Sequence, residues 1–127
     1  MTISAAIAAA DEMRPNSNIS TVTKLFWLSE VEARVKEVAS GRILADGEDY
    51  SHPAITPETD QESELMVPDA YAAVYPRYIV AMTDYAHNDP AVYSASQFAY
   101  ETAFAQFAAW FVRGHRQRTN GTLRLYN

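Results

Sequence analysis

The sequence predicts an all-α fold: a small helical bundle with a long antiparallel helical hairpin, an acidic loop and an extended C-terminal tail. Three observations carry this. Tyr71, Tyr75, Tyr78, Met82 and Tyr85 recur at alternating spacings of four and three, and Tyr93, Tyr100, Phe104, Phe107 and Phe111 keep the rhythm, with Gln97 its one polar member. That periodicity gathers each set on one helix face, which has to be buried. Between the sets, His87-Asn88-Asp89-Pro90 supplies a turn, with Asp89 placed as N-cap and Pro90 as the first helical residue. A turn this short makes the two helices antiparallel neighbours. A third apolar stripe, Val22, Leu25, Leu28, Val31, Val35 and Val38, precedes them. The aromatic stripes read as core packing, which gives a fold and no chemistry.

Taken in order, Thr2 or Ser4 caps a first helix whose face is Ile3, Ile7 and Ala10. Arg14-Pro15-Asn16 ends it, because the residue before a proline is pushed out of the α region. Ser20 caps the second helix, with Glu30, Glu32, Lys36 and Glu37 on its wet face, Phe26 and Trp27 widening the apolar stripe, and Gly41 as the stop. Residues 42–66 break the pattern with Gly47, Pro53 and Pro57 and read as a long surface loop. Pro68 opens the third helix, and Pro76 removes one backbone hydrogen bond within it, so a kink or a restart is expected near Ala73 to Pro76. Gly114 ends the fourth. The tail then turns through Asn120-Gly121 into Thr122-Leu123-Arg124-Leu125-Tyr126, which alternates as a strand does. Residues 1–113 are thus expected to form one helical domain, with 42–66 as its acidic loop and 114–127 as a basic tail.

The net charge of −6 is localised. Between Arg42 and Met66, seven acids stand against the single Arg42, whereas outside that segment nine acids balance nine bases. No acid follows Glu101, yet Arg113, Arg116, Arg118 and Arg124 do, so an acidic middle precedes a basic end. There is no cysteine, which excludes disulfides and thiolate metal sites. The start of the chain lacks a basic residue ahead of its short apolar run, and no uncharged apolar run reaches the roughly 18 residues of a bilayer span. These point to a soluble intracellular protein.

Chemistry is harder to find. No nucleophile elbow, phosphate-cradling glycine loop or Glu-x-x-His pair is present, so neither an enzyme nor a cofactor is expected. Asp46-Gly47-Glu48-Asp49 begins as a calcium loop does but lacks the alternating ligands and the closing glutamate. His52, His87 and His115 read as solvated loop residues. A DNA-reading helix-turn-helix in the first forty residues lacks the bases to contact phosphates, with only Lys24, Arg34 and Lys36 exposed among three glutamates.

Three segments carry a family likeness. They are Trp27-Leu28-Ser29-Glu30-Val31-Glu32, the run Glu64-Leu65-Met66-Val67-Pro68-Asp69-Ala70-Tyr71, and the last helix from Tyr93 through Phe104, Phe107, Trp110, Phe111, Arg113 and His115. In these the chain resembles small tailed-phage proteins encoded among the head genes, the head-tail connector or adaptor proteins, over about three quarters of its length. It differs from their pattern at Pro76 and in its longer basic tail. The resemblance implies a structural virion protein at the neck between capsid and tail, assembled in the host cytoplasm. It also implies a homo-oligomeric ring of about twelve copies below the portal protein, which extends the channel through which DNA passes. The portal and the next neck or tail-completion protein would be its partners, without sequence-specific DNA binding and without a membrane. The expected contact residues are Glu58, Asp60, Glu62 and Glu64 in the loop and Arg113, Arg116, Arg118, Leu123, Arg124, Leu125 and Tyr126 at the basic end. An alternative of another class is a small acidic monomeric inhibitor or DNA mimic.

Overall fold

The computed structural model describes residues 1–118 and is all-α, with no strand among them. Its helices are α1 (Ile3–Met13), α2 (Thr21–Ala39), α3 (Val74–Ala86) and α4 (Pro90–Gly114), with a single 3₁₀ turn at Asp69–Tyr71. The caps are the residues chosen for them by chemistry. Thr2 Oγ1 accepts from the Ala5 N–H, Ser20 Oγ from Thr23 and Asp89 Oδ1 from Val92, each satisfying a donor that the first helical turn leaves orphaned. Gly41 follows α2 at φ 73° and Asn88 follows α3 at φ 58°, the left-handed conformation that stops a helix.

Of the two outcomes expected at Pro76, the chain takes the restart. The 3₁₀ turn ends, α3 begins at Val74, and Pro76 becomes its third residue, where an N–H would have no intrahelical partner to lose.

Side-chain pairings fix how the helices run. Tyr85 meets Tyr93 at 5.2 Å between ring centroids, Tyr78 meets Tyr100 at 4.8 Å and Tyr71 meets Trp110 at 5.2 Å, so α3 and α4 are antiparallel. Glu32 meets Tyr75 and Glu30 meets Tyr78, so α2 is also antiparallel to α3 and therefore parallel to α4. Arg14 pairs with Asp84 at 2.7 Å, while the N-terminal ammonium pairs with Asp69 at 2.5 Å, so α1 runs with α3. One end of the bundle carries the tight connections 14–20 and 87–89. The other carries the long connection 40–73 and the exit from α4.

The core corrects part of the sequence reading. Leu25, Leu28, Val31, Val35, Tyr75, Tyr100, Phe104, Phe107 and Phe111 are buried as their spacing requires, and Tyr78, Met82 and Trp110 pack against that core partly covered. Val22 and Phe26 are exposed, Phe26 by 63%, because none of the described residues lies over the start of α2 on that side. Lys24, expected on the exposed face, is buried instead, its ammonium held 2.7 Å from Asp11 of α1. Tyr85 is exposed, since α3 turns Val74, Tyr75, Ile79, Val80, Ala81, Thr83 and Asp84 inward, a broader arc than the aromatic stripe.

Candidate assembly interface

The acidic connection is folded back on the N-terminus. Carbonyls of Gln61 and Ser63 accept from the N–H groups of Ser4 and Ile3 at 2.9 and 3.1 Å, and the Leu65 N–H donates to Met1 O at 2.9 Å. The loop thus supplies the acceptors that the first turn of α1 lacks. Its acids divide accordingly. Glu62 accepts from the Ser4 hydroxyl at 2.7 Å and Glu64 lies 3.0 Å from the N-terminal ammonium, so both hold the loop in place. Asp60 accepts only from the Glu62 N–H, and the Glu58 carboxylate has no partner among the described residues, so these two face solvent.

The basic exit is tied down more than the sequence implies. Past α4, Ile43 N–H donates to Arg116 O at 2.9 Å and Arg118 N–H to Gly41 O at 2.5 Å, an antiparallel bridge on the segment after α2. His115, read from sequence as solvated, is only 7% exposed. Its ring stacks on Phe111 at 3.8 Å, with Nδ1 2.7 Å from Phe111 O and Nε2 2.8 Å from Glu48 Oε1. Arg113, Arg116 and Arg118 are exposed and make no ion pair among the described residues. Leu123, Arg124, Leu125 and Tyr126 lie outside the described residues.

Glu32, assigned from sequence to the wet face of α2, is the other correction. It is 5% exposed, accepting the Tyr75 hydroxyl on one oxygen and the Met66 N–H at 2.9 Å on the other, while Val67 N–H donates to Tyr75 Oη at 2.9 Å. Burial raises its pKa, and the bonds from Tyr75 and Met66 pull it back only in part. Its position was legible, because Leu28, Glu32, Val35 and Ala39 follow one another at spacings of four, three and four. Beside it, Ile3, Pro53, Ile55 and Leu65 line a cavity of about 300 Å³, with His52 and Thr59 at its wall.

Chemically, Glu32 acts as a clamp on the end of the acidic connection, since both oxygens are engaged by the chain that it fixes. His52 lies 3.5 Å from Asp49 and His87 bonds Ser17 O at 2.8 Å. No group of three metal-ligating side chains occurs among the described residues, and no described helix is long and apolar enough to cross a membrane. No family model, characterised protein or solved structure matches the chain.

Proposed function

We propose that this protein is a structural virion subunit, a head-tail connector that assembles as a ring below the portal and lengthens the DNA channel. In this reading it works in the virion neck after assembly in the host cytoplasm, with the portal and the next neck protein as its neighbours. The long α3–α4 hairpin is the body, and the acidic connection and basic tail are its contact elements.

The observation that carries the reading is the inequality of the bundle's two ends. One end carries tight connections, whereas the other gathers Glu58 and Asp60 together with Arg113, Arg116 and Arg118, all exposed and, Asp60's local backbone bond aside, with side chains unengaged among the described residues. Unlike surfaces suit contacts that repeat around a closed ring, where each copy meets a different face of the next. The resemblance of the three sequence segments supports the same assignment.

The test is assembly with portal protein, followed by electron microscopy of the complex. A ring under the portal is the expected result. The Glu58→Gln, Asp60→Asn variant should assemble less well while melting as the wild type does, because these carboxylates hold no other part of the fold. Raised salt should impair the wild type in the same way, since exposed charge pairs are screened over about 8 Å at physiological ionic strength. A chain that stays monomeric with portal at every salt concentration overturns the reading and favours the monomeric inhibitor.

A further inference from the structure

Glu32 is a buried carboxylate that no positive charge among the described residues answers. It is 5% exposed, and both of its hydrogen bonds come from neutral groups, the Tyr75 hydroxyl on one oxygen and the Met66 N–H on the other. It takes part in no ion pair among the described residues, and Lys36 and His52 act on it through space alone. The other buried acidic and basic side chains each meet a partner of the opposite kind, Lys24 with Asp11, Asp84 with Arg14 and His115 with Glu48. A buried charge without such a partner is costly. Each oxygen of a carboxylate carries two lone pairs, so the two bonds leave Glu32 one free acceptor position on each.

Glu32 also borders the cavity of about 300 Å³ between the start of α1, the middle of α2 and the acidic connection. Ile3, Pro53, Ile55 and Leu65 give that cavity apolar walls, and no described Lys or Arg lines it. Its one basic neighbour, His52, leans on Asp49 at 3.5 Å. Ligand pockets are built this way, mostly apolar with a few polar groups that orient the guest, and this one lies at the small end of their size range. At roughly 30 Å³ for each water-sized group, about ten non-hydrogen atoms would fill its 300 Å³.

We propose that this cavity binds a small primary alkylammonium ion, with its charged head on Glu32 and its aliphatic chain between Ile3, Ile55 and Leu65. A neutral apolar guest would leave the carboxylate as unanswered as before. A metal ion would need several oxygen ligands, and no group of three candidate ligands occurs among the described residues. An ammonium group has three donors, which suit the free positions on Glu32 and the hydroxyl oxygens of Thr59 and Ser63 on the same cavity wall. The pair would form away from bulk water, where attraction between charges is strongest. A guest here touches α1, α2 and the connection together, so it would fasten the acidic connection to the bundle. The inference goes beyond the connector reading and does not depend on it.

The test is a titration of the full-length protein at neutral pH, followed by amide NMR. Hexylamine should shift the amides of Ile3, Ile55 and Leu65 and saturate, binding about tenfold or more tightly than hexanol, which has the same chain and no charge. From ethylamine through butylamine to hexylamine, affinity should rise about fourfold for each added methylene, equivalent to ~0.8 kcal/mol. Glu32→Gln should erase the preference for amine over alcohol while hexanol still binds. Ile55→Trp, which fills the cavity from the connection and leaves the partners of Glu32 in place, should abolish binding of both. Equal affinities of the wild type for amine and alcohol would overturn the proposal, as would amine shifts confined to surface acids such as Glu58 and Asp60. Rings on portal without hexylamine binding would remove this inference alone, whereas hexylamine binding without rings would sustain it and remove the connector reading.

Discussion

α3 and α4 are neighbours in sequence and in space, yet their surroundings are opposite. Eight of the 13 residues of α3 are buried against four of the 25 in α4. α3 is enclosed by α1, α2 and α4, whereas α4 leans on α3 and otherwise meets single side chains: Arg34, whose guanidinium lies 4.0 Å over the Phe104 ring, Tyr71 against Trp110, and Tyr50, 5.0 Å from Phe111 between ring centroids. The longest helix is therefore the least covered. A helix covered on one side needs only one apolar stripe to satisfy this chain, and α4 carries two.

The sharpest test of that difference compares two phenylalanines on α4. Phe107 is fully buried and sits 5.7 Å from Phe104 and 6.0 Å from Phe111, centroid to centroid. Phe107→Ala should cost about 3–5 kcal/mol in chemical denaturation, through lost transfer energy and the cavity left behind. Phe98→Ala, on the opposite face, should change monomer stability by no more than about 0.5 kcal/mol. Equal losses at the two positions would mean that α4 is covered on both sides and the comparison is wrong.

The same contrast explains what the sequence made legible. Periodicity identifies the inward face of a helix packed on one side, and Tyr100, Phe104, Phe107 and Phe111 are where the spacing puts them. It misleads on α3, where small residues such as Ala81 and polar ones such as Thr83 and Asp84 are buried as deeply as the aromatics. Enclosure on three sides asks for close approach, so the aromatic stripe through Tyr71 and Tyr85 marks the seam with α4 and not the burial. Caps and stops at Thr2, Ser20, Gly41 and Asp89 were legible because they depend on local backbone geometry alone. Glu32 and His115 were not read as buried, because their partners, Met66 and Tyr75 for one and Glu48 for the other, come from far along the chain. For Glu32 the local spacing with Leu28, Val35 and Ala39 marks the inward face of α2, but nothing local shows which groups will clamp its carboxylate.

Polar burial on α3 gives the next effect. Asp84 receives two hydrogen bonds from the Arg14 guanidinium, at 2.7 and 2.9 Å, and they hold its carboxyl below the ordinary carboxylate range. A group with a depressed folded pKa contributes stability above its unfolded value, near 3.9, and loses it as pH falls through the folded value. Asp84→Asn should therefore cost about 1–3 kcal/mol at neutral pH, with the upper part reduced because Arg14 is partly exposed. The gap between variant and wild type should close as the solution is acidified below the ordinary carboxylate range. A gap that persists in acid would assign the loss to packing, and α3 would then owe its enclosure to shape alone.

The smallest expected effect is at Glu32, where the end of the acidic connection is fixed to α2 and α3. Here the sign runs the other way, since burial raises the folded pKa above the unfolded one. The favourable contribution of the neutral carboxyl is complete below the unfolded value, near 4.3, and is lost as pH rises through the folded value. Glu32→Gln cannot ionise and keeps an oxygen for the Met66 N–H, but its amide turns the Tyr75 bond round and leaves that hydroxyl's proton without an acceptor, so it should cost about 1 kcal/mol, the low end for an orphaned donor. The informative quantity is the slope: between the ordinary glutamate range and neutrality the wild type should lose ground to the variant as pH rises. Glu32→Ala serves as the control, since it leaves the Met66 N–H and the Tyr75 hydroxyl without their acceptor, at about 1–3 kcal/mol for each orphaned donor. Parallel pH profiles for the wild type and Glu32→Gln, measured by denaturant titration, would show that the carboxylate is not paying a burial cost, and that water reaches α2 where it meets α3.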